Sequence, residues 1–300
     1  MKRIDINIGR TADFIDNHLQ KVKKNPDNSP PISRIEIGIN SRCNRRCVFC
    51  PRFNEKDFPN IQESFNLELF KKMINDLSTI NYSGKLTFSG FGEPLLTQNI
   101  TEYIRYAKEK CPDSDIEIVS NGDLLTTETL KGLFDAGLSE ILISLYEGKH
   151  QKELFKKMAE KLGLSDAQVV LRERYLSPEE GYGLTISNRA GNVKLKEGKL
   201  DVGPLTEPLK QPCNYPFFSM MVDFDGKVLL CSSDWQKELI LGDLNKQSIF
   251  KIWNGKKFNE ARKKLINKDR KFSPCNLCDT NGTYNGELHL EAWRRYFDGK

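Results

Sequence analysis

The chain has 300 residues, 38% of them hydrophobic, with 46 Lys and Arg against 41 Asp and Glu for a formal charge of +5. That is enough for one sizeable core and a small appended module, whereas no apolar run of about 18 residues exists to span a membrane and Met1–Arg10 lacks the apolar stretch of a signal peptide. The modest charge, without a reading module, excludes a nucleic-acid partner, and eight cysteines in a chain expected to be cytoplasmic point away from disulfides and toward metal binding or catalysis.

Residues 1–33 read as an N-terminal helical leader, with Phe14, Ile15, Leu19 and Val22 at helical spacing ahead of the breaker-rich NPDNSPP. It is expected to pack outside the main domain. From Arg34 short apolar strands alternate with amphipathic helices: RIEIGIN as a strand, Asn66–Ile80 as a helix, then the strand KLTFSG. A helix over Gln98–Lys110 follows, then the strand IEIVSN, a helix over Thr126–Ala136, the strand EILISLY, a helix over Lys152–Leu162, and the strand QVVLRERYL. This order predicts a parallel α/β sheet or a curved partial barrel over 34–176, with its chemistry at the C-terminal ends of the strands. Residues 177–212 are rich in Gly, Pro, Asn and Lys and read as a bridge. Within it, Asn188-Arg189-Ala190-Gly191-Asn192 is either a turn or a source of polar groups for the mouth of the site. Over 213–300, FFSMMVDFDGKVLLCSSD predicts a hairpin turning at Asp225-Gly226, and Ile249–Ile266 predicts a helix. The basic run Lys256–Lys271 is read as a solvated helix face, or as a docking face for an acidic electron-donating protein.

Directly after the first strand stands Cys43-Asn-Arg-Arg-Cys47-Val-Phe-Cys50. Three thiolates in one tight loop suit a metal or an iron–sulfur cluster, yet a closed tetrahedral site needs four. A cluster held by three leaves one iron open. The alternative is a zinc site completed by Cys111 or a histidine. Ser89-Gly90-Phe91-Gly92-Glu93-Pro94 ends the second strand, Ser120-Asn121-Gly122 the third, and Ser144 lies near the end of the fourth.

These motifs, in this order, resemble the radical S-adenosylmethionine (SAM) superfamily across roughly Arg34–Leu176. The resemblance implies a partial (β/α)6 barrel in which Cys43, Cys47 and Cys50 hold a 4Fe-4S cluster and SAM chelates the open iron. Phe49 would lie against the adenine. Ser89, Gly90, Gly92, Glu93 and Pro94 form a variant of the family's GGEP element, with Phe91 in place of its first glycine. There the glycines let the backbone approach the methionine moiety, and Glu93 accepts from its ammonium. Ser120 and Asn121 match the ribose-contacting position, Ser144 is a weaker match, and Arg172 with Arg174 could reach the carboxylate or serve as ordinary ion pairs.

Cys213 precedes the hairpin, Cys231 ends its second strand, and Cys275-Asn-Leu-Cys278 comes after the helix. Considered alone, four such thiols fit zinc as well as iron–sulfur. With Pro216-Phe-Phe-Ser-Met220, Gly242–Leu244 and Ile252-Trp253-Asn254, they resemble a twitch domain, the shortened relative of the SPASM domain. That implies one fully ligated auxiliary 4Fe-4S cluster; Cys111 is left as a bystander. The layout is similar to that of the aminocyclitol dehydrogenases of the superfamily. It implies a 5′-deoxyadenosyl radical that takes hydrogen from a small carbohydrate-like substrate, the auxiliary cluster supporting oxidation, and a flavodoxin or ferredoxin as electron donor. Epimerisation, peptide modification and a zinc scaffold are the competing readings.

Overall fold

A computed structural model describes residues 6–22, 25–183, 185–198 and 200–299, so residues 1–5, 23 and 24 of the expected leader lie outside the described residues. The leader forms α1 (Ile6–Lys21). Four strand–helix units and a fifth strand follow: β1 (Arg34–Ile37), α2 (Leu67–Ser78), β2 (Lys85–Phe88), α3 (Ile100–Lys110), β3 (Asp115–Ser120), α4 (Thr127–Asp135), β4 (Glu140–Leu145), α5 (Lys149–Lys161) and β5 (Val169–Glu173). A ribbon of β6 (Leu195–Glu197) and β7 (Leu200–Val202) interrupts the bridge. Then come α6 (Tyr215–Phe218), β8 (Ser219–Val222), β9 (Lys227–Leu229), β10 (Ile240–Asp243), α7 (Ile249–Trp253), α8 (Lys256–Ile266) and α9 (Glu287–Asp298).

The helices begin where short polar side chains satisfy the first free N–H groups. Asn66 accepts from Leu69 N at 3.0 Å and Thr126 from Thr129 N at 3.1 Å, each cap contributing about 1 kcal/mol. The expected single helix over Ile249–Ile266 is two, α7 and α8, because the chain is extended at Gly255, which caps the second. The basic run likewise leaves the helix at Asn267, and Lys268 has a φ of 59°.

Among the described residues the main sheet has eight strands in the order β10-β9-β8-β1-β2-β3-β4-β5. β1 to β5 pair in parallel. The hairpin supplies the sixth parallel strand, since β8 lies on the other side of β1 in the register Arg34↔Ser219 to Ile37↔Val222. The crossover to it runs through the bridge and α6 in place of a long helix. β9 and β10 then extend the sheet antiparallel.

Alternation along the short strands decides the layering. Ile35, Ile37, Leu86, Phe88, Ile116 and Ile118 face the helices, where Phe70, Ile74, Leu77 and Ile104 cover them. The intervening positions are polar and turn inward. Arg34 pairs with Glu36 at 3.2 Å and approaches Glu117 at 3.8 Å, and Thr87 donates to Glu117 at 2.9 Å. Arg10 of α1 reaches the same Glu117 at 3.5 Å and also Glu140, which Lys85 pairs with as well. The leader therefore does more than pack on the outside, because one of its arginines closes the lower end of the barrel's polar interior.

Candidate active site

At the upper end of the strands lies a cavity of about 620 Å³, within the usual range of small-molecule sites. Cys43, Cys47 and Cys50 line one side, with Phe49 beside them. Cys213, Cys231, Cys275 and Cys278 line another. Ser89, Gly90, Gly92 and Glu93 face the same space, as do Ser120, Asn121, Ser144 and Arg172. Pro94 does not; it is buried at the start of a short turn, Pro94–Leu96. Cys111 is fully buried beneath α2, its Sγ 3.9 Å from the Ile74 carbonyl, so it cannot complete a site with the first three thiols.

The motifs hold one another in place. Glu93 is 3% exposed, accepts Ser120 Oγ and Asn121 N at 2.8 Å each, and also accepts Leu95 N at 3.1 Å. Its own N–H donates to Arg42 O at 2.8 Å, and Asn40 donates to the Glu93 carbonyl at 2.7 Å. Gly92 is required by this closeness: a Cβ there would stand 2.7 Å from the Arg42 carbonyl oxygen. Gly90 has a φ of 92°, a conformation that side chains resist. Arg52, which carried no sequence signal, clamps the loop from behind. It donates to Ser41 O at 2.6 Å, to Pro59 O at 3.0 Å and to Phe91 O.

Around the expected adenine contact, the Phe49 ring lies 5.3 Å from Tyr182 and 6.4 Å from Tyr146. Arg45 covers Tyr146 at 4.6 Å and pairs with Asp123 and Glu147 at 2.6 Å each. Arg172 donates to Ser144 at 2.9 Å. In the bridge, Asn188 is a fully buried strut that donates to Gly203 O and Leu277 O at 2.8 and 2.7 Å. Arg189 and Ala190 line the cavity, and Asn192 closes a turn onto the Arg189 carbonyl. Both readings of this segment therefore hold, divided between its residues. Arg45 lies within the Cys43–Cys50 loop, Tyr146 directly follows β4 and Tyr182 comes from the turn Pro178–Gly183; no motif assigned them a role, and only the folded chain brings them together.

The donor set suits iron–sulfur clusters. Backbone N–H groups two residues on reach Cys43 and Cys278, Arg45 N and Thr280 N each standing 3.4 Å from sulfur. Cys50, Cys213 and Cys231 receive the same kind of bond from Arg52, Tyr215 and Ser233. Burial nevertheless pushes the Cys47 and Cys213 thiols up to about 11, and Cys231 and Cys275 upward as well. Thiols so placed become thiolates only when a cation is bound. Among the described residues no three Cys, His, Asp or Glu side chains meet closely enough for a single metal ion; the seven cysteines line a shared cavity instead. No described helix is long and apolar enough to cross a membrane.

Residues 37–164 match the radical SAM superfamily, and residues 213–279 match SPASM, an iron–sulfur cluster-binding domain. The chain is 30% identical over 250 residues to the S-adenosyl-L-methionine-dependent 2-deoxy-scyllo-inosamine dehydrogenase of Niallia circulans, covering 82% of this chain and 92% of that one. It is 31% identical over 189 residues to the Fe-coproporphyrin III synthase of Methanosarcina barkeri, covering 62% of this chain and 43% of that protein. Among solved structures, BtrN in complex with AdoMet and 2-DOIA superposes with a TM-score of 0.69 at 27% identity, covering 86% of this chain and 98% of that one. With a relative matched along 92% of its length and both domain families present, the chain belongs to the radical SAM superfamily and is an enzyme whose cofactors are SAM and two iron–sulfur clusters.

Proposed function

We propose that the enzyme oxidises a polyol, sugar or aminosugar at a hydroxyl-bearing carbon. The observation that carries this reading is that a three-thiol group and a four-thiol group line one cavity. Cys43, Cys47 and Cys50 hold the first 4Fe-4S cluster, and Cys213, Cys231, Cys275 and Cys278 fully ligate the second. Residues 34–176 supply five strands of the barrel core, 177–212 the bridge, and 213–300 the auxiliary domain together with the sixth strand, β8. Similarity to the dehydrogenase of Niallia circulans supports the substrate class and oxidation over epimerisation or peptide modification.

When bound, the cofactors supply a carbon radical able to take one hydrogen atom and a second centre able to take the remaining electron. The chain's own residues bind, orient and exclude water. Glu93 would accept from the SAM ammonium, Gly90 and Gly92 would admit its methionine chain, and Phe49, which contacts Tyr146 and Tyr182, would pack on the adenine. Ser120 and Asn121 face the ribose, and Ser144 with Arg172 faces the polar remainder. On the cavity floor Glu36, held by Arg34 at 3.2 Å, accepts the hydroxyl proton released as the carbon is oxidised. Arg189 and Asp279, which line the same cavity, hold the other hydroxyl or amino groups. A cytoplasmic flavodoxin or ferredoxin supplies electrons to the first cluster.

Anaerobic incubation of the reduced enzyme with SAM and candidate polyols and aminosugars tests this reading. The expected product is lighter than its substrate by two hydrogens and forms together with 5′-deoxyadenosine. Product of unchanged mass and inverted configuration would establish an epimerase instead. A colourless chain reconstituting without about eight iron would remove the reading altogether.

A further inference from the structure

One segment holds more than the whole positive excess of the chain. Residues 251–271 contain nine Lys and Arg against two carboxylates, while the entire chain exceeds neutrality by five. The fold sorts these cations by type. Arg262 and Arg270 are buried, at 0% and 1% exposure, and all seven lysines are exposed. Glu260, the exposed carboxylate of the segment, stands 4.0 Å from Lys256. Among the described residues Lys257, Lys263, Lys264, Lys268 and Lys271 have no carboxylate within ion-pair distance. Lys257 donates to Ile240 O at 3.1 Å, and Lys263 lies 5.1 Å over the Phe297 ring, but these contacts leave the charges without a counter-ion.

The lysine face also adjoins the second thiol group. The Lys264 ammonium lies 5.1 Å over the Phe272 ring, and the Phe272 carbonyl accepts from Asn276 N at 3.0 Å, inside the Cys275–Cys278 turn. On the inner side of the same segment, Arg270 lines the cavity with Cys275 and Cys278 and donates to Thr280 O at 3.0 Å. Between the two cysteines Leu277 is 37% exposed. An apolar tip with thiols directly behind it thus lies beside a field of unpaired cations.

We infer that this face docks an acidic one-electron carrier protein of the flavodoxin or ferredoxin class, in its oxidised form, which removes an electron from the second cluster. The inference rests on the assignment of Cys213, Cys231, Cys275 and Cys278 as that cluster's ligands. The balance leaves one electron on the second cluster for such a carrier to take. Oxidation at a hydroxyl-bearing carbon removes two electrons and two protons in total. One hydrogen atom leaves to the cofactor-derived radical; the second electron passes to the cluster while the hydroxyl proton goes to a base. The cluster must then lose that electron before it can accept another, and the carrier is reduced by one electron as it does so. Charge complementarity supplies the encounter rate and the orientation.

Oxidised flavodoxin is the probe. Its anaerobic binding to the holoenzyme is measured at low and high salt, for the wild type, for K264E/K268E/K271E, and for the control K156E/K157E on the exposed face of α5. The expected result is affinity at least about tenfold weaker at high salt and in the triple variant, with the control near wild type. Iron content and dithionite-driven SAM cleavage stay unchanged. In a C43A/C47A/C50A chain, reduced and mixed with oxidised flavodoxin, semiquinone forms in stopped flow, and K264E/K268E/K271E added to that chain slows it by about the same factor. Equal binding by the triple variant, an equal loss in the control, or equally tight binding of duplex DNA would overturn the docking face. A C43A/C47A/C50A chain that holds no iron would instead remove the ligand assignment, and the docking face with it.

Discussion

The Glu93 carboxylate accepts the Ser120 hydroxyl at 2.8 Å, so the end of β3 and the loop after β2 share one buried anion. Burial pushes that carboxyl up to about 7, against the hydrogen bonds from Asn121, Ser120 and Leu95 that pull it down. A carboxylate so poorly solvated gains most from a cation brought to it, as the SAM ammonium would be. Glu93→Gln keeps the size and loses the charge. It should weaken SAM binding by about 10- to 100-fold, the range of about 1.5–3 kcal/mol for a hydrogen bond to a charged group. Anaerobic equilibrium dialysis checks this, with iron content unchanged; wild-type affinity would refute the role.

Cysteine replacements separate the two thiol groups. Cys43→Ala, Cys47→Ala or Cys50→Ala should each abolish 5′-deoxyadenosine formation and remove about four iron. Cys275→Ala should retain SAM cleavage and lose substrate oxidation. Chromatography of the nucleoside products, beside mass spectrometry of the substrate, reads both. Unchanged turnover by Cys275→Ala would exclude a redox role for the second group.

Two of the three histidines tie the leader to the other end of the chain. His18 Nδ1 lies 2.8 Å from Ser33 Oγ, which lies 3.0 Å from His289 Nε2. Burial pulls both rings down to about 4, below the unfolded value of 6.5, so the unfolded chain binds more protons between those limits. The stabilisation is fully present above about pH 6.5 and is lost as pH falls toward 4, by up to ~3 kcal/mol for each ring. In His18→Gln/His289→Gln the melting temperature should fall less steeply between about pH 6.5 and 5 than in the wild type. Parallel curves from anaerobic calorimetry would refute the assignment.

Arg262 is a buried cation sandwiched by rings, its guanidinium 4.0, 3.8 and 3.7 Å from the centroids of Trp253, Phe258 and Trp293. It donates to Pro216 O at 2.8 Å and to Trp253 O at 2.5 Å, joining α8 to the residues just ahead of β8. Arg262→Ala leaves a void among three aromatic rings and two carbonyls without donors. The expected loss is about 3–5 kcal/mol, read as a shift in the denaturation midpoint. A loss below about 1 kcal/mol would show that the rings close over the gap.

Much of the site is legible along the chain because its parts are local. The cysteine spacing of 43–50, the glycines around Glu93 and the polar residues after β3 each lie within a few residues of a strand end, and strand ends can be read from alternation. The sequence reading missed what approaches from elsewhere. Arg52 acts through carbonyls, which leave no trace in residue type. Tyr146 and Tyr182 meet Phe49 from opposite loops, and α9 carries His289 and Trp293 back to residues far upstream. Nor does RIEIGIN show which of its two faces is covered by helices. Arg34 and Glu36 look like surface residues until the barrel curves around them.

By itself the sequence determined the strand–helix order, the turn at Asp225-Gly226 and the two groups of thiols, because helix, strand and loop geometry depend on neighbours a few residues apart. Only the tertiary structure decided that β8 pairs with β1 and that all seven thiols share one cavity. Those contacts join segments separated by most of the chain, and the side chains that select them do so through packing and register summed over the whole sheet.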